Sequence, residues 1–107
     1  RRVERVAAAG RGPVVFAGGA MRAYFDGETA LGPQAYLGRL EGTAPVPPHA
    51  HESSWEIIAA VRAQGTFLLG EREHRLGARQ VVAVPPGVRH AWTPDPGVSL
   101  VAVQMYW

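Results

Sequence analysis

Short apolar runs, each closed by glycine, proline or a polar turn residue, recur along this chain from residue 14 onward. They read "VVFA" at 14–17, "MRAYF" at 21–25, "AYLGRL" at 35–40, "EIIAAV" at 56–61, "TFLL" at 66–69, "QVVAV" at 80–84 and "VSLVAVQMYW" at 98–107. None of these runs holds the three-to-four spacing of an amphipathic helix, and brief strands separated by turn residues are the pattern of an all-β sandwich or barrel. "VERVAAA" at 3–9 has helical character, but Gly10, Gly12 and Pro13 stop it. "GERE" at 70–73 reads as a hairpin tip between "TFLL" and "EHRL", and "PDPG" at 94–97 as a second turn. Prolines 45, 47, 48, 85 and 86 cannot donate to a central ladder and predict strand entries or edges.

The segment beginning at Glu56 predicts something about assembly. Alternation along a strand sends Glu56, Ile58 and Ala60 to one face and Ile57, Ala59 and Val61 to the other, so both faces are apolar beyond Glu56. A strand of this kind needs cover on both sides. In so small a protein the second cover is expected from another subunit, which predicts a homodimer.

Length and composition then narrow the class. The 107 residues fit one domain, read as an N-terminal arm over 1–13 and a single barrel over 14–107. Thirteen glycines and nine prolines are more than a helical bundle of this size tolerates. The absence of cysteine excludes disulfides, thiolate nucleophiles and zinc–thiolate sites, and the absence of lysine excludes Schiff-base chemistry. Any metal must be held by imidazole and carboxylate. The sequence pI of about 9.7 suggests nucleic acid until the charge is located. Arg1, Arg2, Arg5 and Arg11 against Glu4 put +3 in the first eleven residues, which leaves −1 for the rest of the +2 total. The basicity belongs to the arm, without a recognition helix or RNA-binding aromatic motif, so no nucleic-acid partner is predicted. With no apolar run long enough to span a bilayer and no secretory signal, the expectation is a cytoplasmic protein with no membrane partner. The chain begins with Arg rather than Met, as a trimmed or partial chain would.

The candidate chemistry lies in "VPPHAHESSWE" at 46–56. His49 and His51 fall on one face of an extended segment, roughly 6.5–7 Å apart at Cα, a span one metal ion can bridge. Glu56 can return to that face as the next strand begins. His90, in "PPGVRHAW", stands at the start of a strand after a turn shaped by Pro85 and Gly87, and Trp92 shares its face. Together His49, His51, Glu56 and His90 would form an all nitrogen and oxygen set suited to Fe, Mn, Ni, Cu or Zn as one divalent ion. Taken alone, a pair of histidines so spaced favours a solvated loop over a metal site.

The two segments carry a resemblance. The chain is similar to single-domain cupins, whose first motif is G, five residues, HxH, three or four residues, E, six residues, G, and whose second is G, five residues, PxG, two residues, H, three residues, N. His49, His51 and Glu56 match the first; Pro85, Gly87 and His90 match the second. Gly42 stands one residue early, with Thr43 in the motif place; Ala63 and Arg79 stand where glycines would be; Pro94 replaces the asparagine. None of these departures is a ligand, but Ala and Arg accept positive φ less readily than Gly, and Gly65 is expected to supply the first motif's closing turn.

The resemblance covers roughly residues 34–107 and implies a double-stranded β-helix, a jelly-roll barrel of two antiparallel sheets. It also implies a metal held by His49, His51, Glu56 and His90 near one mouth, and a homodimer. Trp92, Ile58 and Ala60 are the expected substrate-pocket residues, while Trp55 is as readily a core residue. Glu52 points away from His51, His74 lies in the hairpin, and Arg62 or Arg89 could clamp a substrate carboxylate, with Arg89 out of phase with His90. The facing of Met105, Tyr106 and Trp107 stays open. An ion so held can polarise a bidentate oxygen ligand. The function expected is therefore an enzyme acting on a small oxygenated carbon compound, of dioxygenase, decarboxylase, isomerase or lyase type. The alternative is a non-catalytic binding or sensory domain with a small-molecule ligand.

Overall fold

A computed structural model of the chain describes residues 14–16, 20–26 and 36–107. The arm over 1–13, with its expected helix, lies outside these residues. The described part is built from strands: β1 (Val14–Phe16), β2 (Met21–Asp26), β3 (Tyr36–Gly42), β4 (Val46–His49), β5 (Glu56–Arg62), β6 (Gln64–Leu69), β7 (Arg72–Gly77), β8 (Val81–Val84), β9 (His90–Pro94) and β10 (Leu100–Tyr106). They form two antiparallel sheets, a six-stranded one in the order β1-β2-β3-β10-β5-β8 and a four-stranded one in the order β4-β9-β6-β7. Chain neighbours such as β3 and β4, or β5 and β6, lie in different sheets, which gives the jelly-roll barrel. No described helix is long and apolar enough to cross a membrane.

The inward faces follow the alternation of the sequence. Ile58 and Ala60 of β5, Ala102 of β10, Leu40 of β3, and Phe67 and Trp92 from the other sheet are all buried. Each large member of this core contributes about 1.5–3 kcal/mol by leaving water. On the outward face of β5, Ile57 and Ala59 are only half-buried and Val61 is exposed. The prolines take the places their missing N–H predicts: Pro47 and Pro48 lie in β4, an edge strand, and Pro85 and Pro86 follow β8, another edge. The hairpin between β6 and β7 turns at Gly70, which has φ 63°.

Three of the four departures from the motif pattern, at Gly42, Ala63 and Arg79, resolve differently. Gly42 has φ 148°, and a Cβ there would meet the Ala20 carbonyl oxygen and lie 2.7 Å from the Met21 sulfur. The next residue, Thr43, donates its N–H to that same carbonyl at 2.9 Å. The glycine is therefore needed one residue early, where β3 meets β2. Ala63 links β5 to β6 across the corner between the sheets, and it is not among the positive-φ residues. The turn expected of Gly65 is not made there: Gly65 lies inside β6, opposite Pro94, and is small because Trp92 and Pro94 press against it. Arg79 is the departure that carries a cost. It has φ 70°, the one positive φ outside glycine among the described residues. Its N–H donates to the Ala60 carbonyl at 2.8 Å, which holds the β7–β8 connection against β5. A left-handed non-glycine residue costs roughly 1–2 kcal/mol.

Two substitutions check this reading. Arg79→Gly should stabilise the protein by about 0.5–1 kcal/mol, the relief of strain being partly offset by the added freedom of the unfolded chain. Chemical denaturation measures it, and an unchanged or lowered stability would contradict the strain. Gly65→Ala should cost about 2–3 kcal/mol by overpacking, because its Cβ would lie 2.6 Å from Trp92 Cη2 and 2.8 Å from Pro94 Cα; a neutral result would contradict the tight approach.

Candidate metal centre

Each of the four candidate ligands is placed by a separate piece of backbone logic. His49 closes β4 and pairs in register with His90, the first residue of β9, so the two imidazoles stand side by side with ring centroids 4.2 Å apart. His51 lies just past the strand, in the connection to β5. Its carbonyl accepts the N–H of Gly87 at 2.8 Å, and Gly87 has φ 77°. The glycine of the second motif thus positions a histidine of the first. Glu56 opens β5 in the opposite sheet, directly across from Tyr106 on β10.

Ligand-type atoms of His49, His51, Glu56 and His90 all lie within 4.8 Å of one another. Four donors about 2.1 Å from a common ion are separated by roughly 3–4 Å, so a contraction of about an ångström in the widest pair brings all four onto a single ion. The protonation pattern fits as well. His49 Nδ1 lies 2.8 Å from the Pro47 carbonyl and His90 Nδ1 lies 3.0 Å from the Val88 carbonyl. A carbonyl only accepts, so in each neutral ring Nδ1 carries the hydrogen and Nε2 a free lone pair. His90 Nε2 is 2.9 Å from Glu56 Oε1, and His51 Nε2 is 3.6 Å from the same oxygen. Those three atoms are buried without a hydrogen-bond partner. Lone pairs turned on one another at this distance need a cation among them, either a proton or a metal.

The titration behaviour carries the same message. Burial alone would raise the Glu56 carboxyl, but contact with His90 and Tyr106 outweighs it and holds the group below its ordinary range. Burial likewise works against protonated His90, yet Glu56 and the Val88 carbonyl raise it. Desolvation lowers His51, with the neighbouring imidazoles assisting. Glu56 thus favours positive charge at His90 Nε2, a place that a divalent cation can also fill.

Behind Glu56 stand Gln104, which the sequence reading did not single out, and Tyr106, whose facing it left open. Gln104 Nε2 donates to Glu56 Oε2 at 2.9 Å and lies 3.2 Å from the Tyr106 hydroxyl. The Tyr106 hydroxyl in turn bonds to Glu56, and burial followed by the Glu56 charge pushes the phenol well above its usual range, so it stays protonated. Oε2 is occupied by Gln104, which leaves Oε1 aimed at the histidines. The signal was present in parity: Leu100, Ala102, Gln104 and Tyr106 share a face of β10, so a polar Gln among buried neighbours marked an inward polar site.

A cavity of about 190 Å³ opens beside the cluster between the sheets. Trp92 and Ile58, both expected in the pocket, line it, with Leu40, Phe67, Leu76 and Leu100. Ala60 is buried on the same face of β5 but further along it, opposite Ala102, and is not among the lining residues. Trp55 stacks on Trp107 at the surface with centroids 6.2 Å apart. Glu52 and His74 are exposed, and so are Arg62 and Arg89, neither of which lines the cavity.

No curated protein sequence matches the chain. Among solved structures, a predicted oxalate decarboxylase from Thermotoga maritima is 18% identical with a TM-score of 0.81, over 96% of this chain and 97% of that one. The cupin domain of Schizosaccharomyces pombe Cnp3 is 11% identical with a TM-score of 0.77, over 98% and 74%. A variant of Streptomyces PAC13 solved with uridine is 18% identical with a TM-score of 0.74, over 96% and 82%. At such identities the likeness is one of fold. A family model, that of the cupin domain, matches residues 37–102. That span is more than half of the sequence and contains both histidine segments and most of both sheets, and the chain belongs to the cupin domain family.

Proposed function

We propose that this protein is a metal-dependent cupin enzyme, with His49, His51, Glu56 and His90 holding one divalent ion from the group Fe, Mn, Ni, Cu and Zn, and that it acts on a small oxygenated carbon compound. The observation that carries the reading is the convergence of four donor atoms within 4.8 Å, three of them buried and unpartnered. An ion in such a site supplies Lewis-acid polarisation of two ligand oxygens, the step shared by dioxygenase, decarboxylase, isomerase and lyase types.

The chain's own residues supply the rest. The imidazoles bind through Nε2, with Nδ1 of His49 and His90 fixed by backbone carbonyls. Gln104 and Tyr106 orient Glu56 so that Oε1 remains the ligand atom. Tyr106 holds its proton at Oη beside the carboxylate, within the site rather than on its rim. The apolar walls formed by Ile58, Phe67 and Trp92 keep bulk water from the bound compound.

The second part of the proposal is the assembly. Val61, Val81 and Val103 are 60%, 64% and 41% exposed on the outer face of the six-stranded sheet, beside the half-buried Ile57 and Ala59. Apolar area of this kind, spread over the neighbouring strands β10, β5 and β8, is expected to be covered by a second copy of the chain.

Metal analysis of freshly purified protein should find close to one divalent ion per chain, and His49→Ala should weaken retention by roughly 10–100-fold or more. Stoichiometric metal retained in the variant would count against the ligand assignment. Sedimentation at micromolar concentration should give a dimer, and Val103→Asp should shift it towards monomer by burying an unpaired charge in the interface. A monomeric wild-type protein would remove the dimer from the proposal.

A further inference from the structure

The cavity beside the cluster restricts what can bind there more narrowly than the ligand set does. Its wall contains no Arg among the described residues, and the sequence has no Lys. Arg62 and Arg89, the two side chains that could have clamped a carboxylate, are exposed and face elsewhere: Arg62 lines a separate surface groove with Arg22 and Glu41. Among the described residues, the anion counterweight available inside is therefore the ion itself. A divalent ion beside the Glu56 carboxylate leaves one positive charge, since the three imidazoles bind neutral. A singly charged chelator neutralises that remainder, whereas a dianion leaves a negative charge against an apolar wall.

Polarity and size sharpen the picture. Gln104 Nε2 and the Tyr106 hydroxyl are engaged with Glu56 and with each other, which leaves Gln104 Oε1 and Trp92 Nε1 as unpartnered polar atoms on residues of this wall, too few for a polyhydroxylated body. Hydroxyls placed against Leu40, Ile58, Leu76 and Leu100 would be buried without hydrogen bonds. The volume is about 190 Å³. An apolar cavity of ~150 Å³ is enough to hold benzene, so this one takes a body of about one ring.

Resting on the metal reading above, we infer that the ligand of this site is a small, apolar-bodied chelator carrying one negative charge, of the β-dicarbonyl enolate or cyclic hydroxyketone class. Dicarboxylates and sugar acids are disfavoured by the same wall. The apolar part lies between the sheets against Phe67 and Trp92, and the two oxygens face the histidines.

The test uses the full chain loaded with Co²⁺, with metal content measured before and after each titration. Calorimetry compares tropolone and acetylacetone with oxalate and galacturonate, each corrected for the chelator's own affinity for aqueous Co²⁺. Tropolone and acetylacetone should bind at least tenfold more tightly than either comparison ligand. Val46→Arg, on the half-exposed edge of the same wall, should narrow or reverse that preference by about tenfold through the new cation, and Ala91→Arg serves the same purpose from β9. If Co²⁺ is held stoichiometrically and oxalate or galacturonate binds as tightly as tropolone, the inference falls while the metal reading stands. If Co²⁺ is not held, both fall.

Discussion

His90 Nε2 and Glu56 Oε1 face each other at 2.9 Å from opposite sheets of the barrel, and both are buried. With Nδ1 of His90 committed to the Val88 carbonyl, the contact in the neutral ring is between two lone pairs. That arrangement is unstable without a positive charge in it. A proton on His90 is one answer, and the raised affinity of that ring for a proton is its mark. A divalent ion also satisfies His51 and His49, which a single proton cannot do, and it is the answer that uses all four converging donors.

The fold can be understood as the device that enforces this contact. The four-stranded sheet brings His49 and His90 into register, and the six-stranded sheet holds Glu56 at the first position of β5 with Tyr106 opposite. Between them, the Gly87 N–H fixes the carbonyl of His51. Because the donors come from both sheets, an ion there would tie the two layers together at the barrel mouth, and binding energy would appear as stability of the sheet-to-sheet packing. The core below is apolar, and the close approach of β6 and β9 on one side of the cavity leaves Gly65 no room for a methyl group beside Trp92.

Much of this was legible in the sequence, for a physical reason. Strand alternation needs only local information, so the runs at 56–61 and 98–107 read as strands, and the four candidate ligands stood out because three of the four histidines fall in two segments whose spacing resembles the paired cupin motifs, not because the His49–His51 pair is telling by itself. What local reading missed depended on register. The facing of Gln104 and Tyr106 is decided by how β10 pairs with β5, and a slip of one residue would have turned both to solvent. Ala60 was expected in the pocket because it shares a face with Glu56 and Ile58; the cavity ends before it reaches that far along β5. Gly65 was expected at a turn, whereas its smallness serves a contact from a neighbouring strand that no local pattern reveals. Arg79 was the reverse case: its motif place announced a positive φ, and the chain adopts it at a cost.

The central claim is that three imidazoles and one carboxylate oxygen share a single divalent ion. X-ray absorption at the edge of the metal carried by the purified protein measures this directly. The account predicts a first shell of nitrogen and oxygen scatterers at about 2.0–2.2 Å, with the outer-shell pattern of imidazole rings, and loss of part of that pattern in His90→Gln. A shell without imidazole scattering, or one unchanged by the substitution, would contradict it.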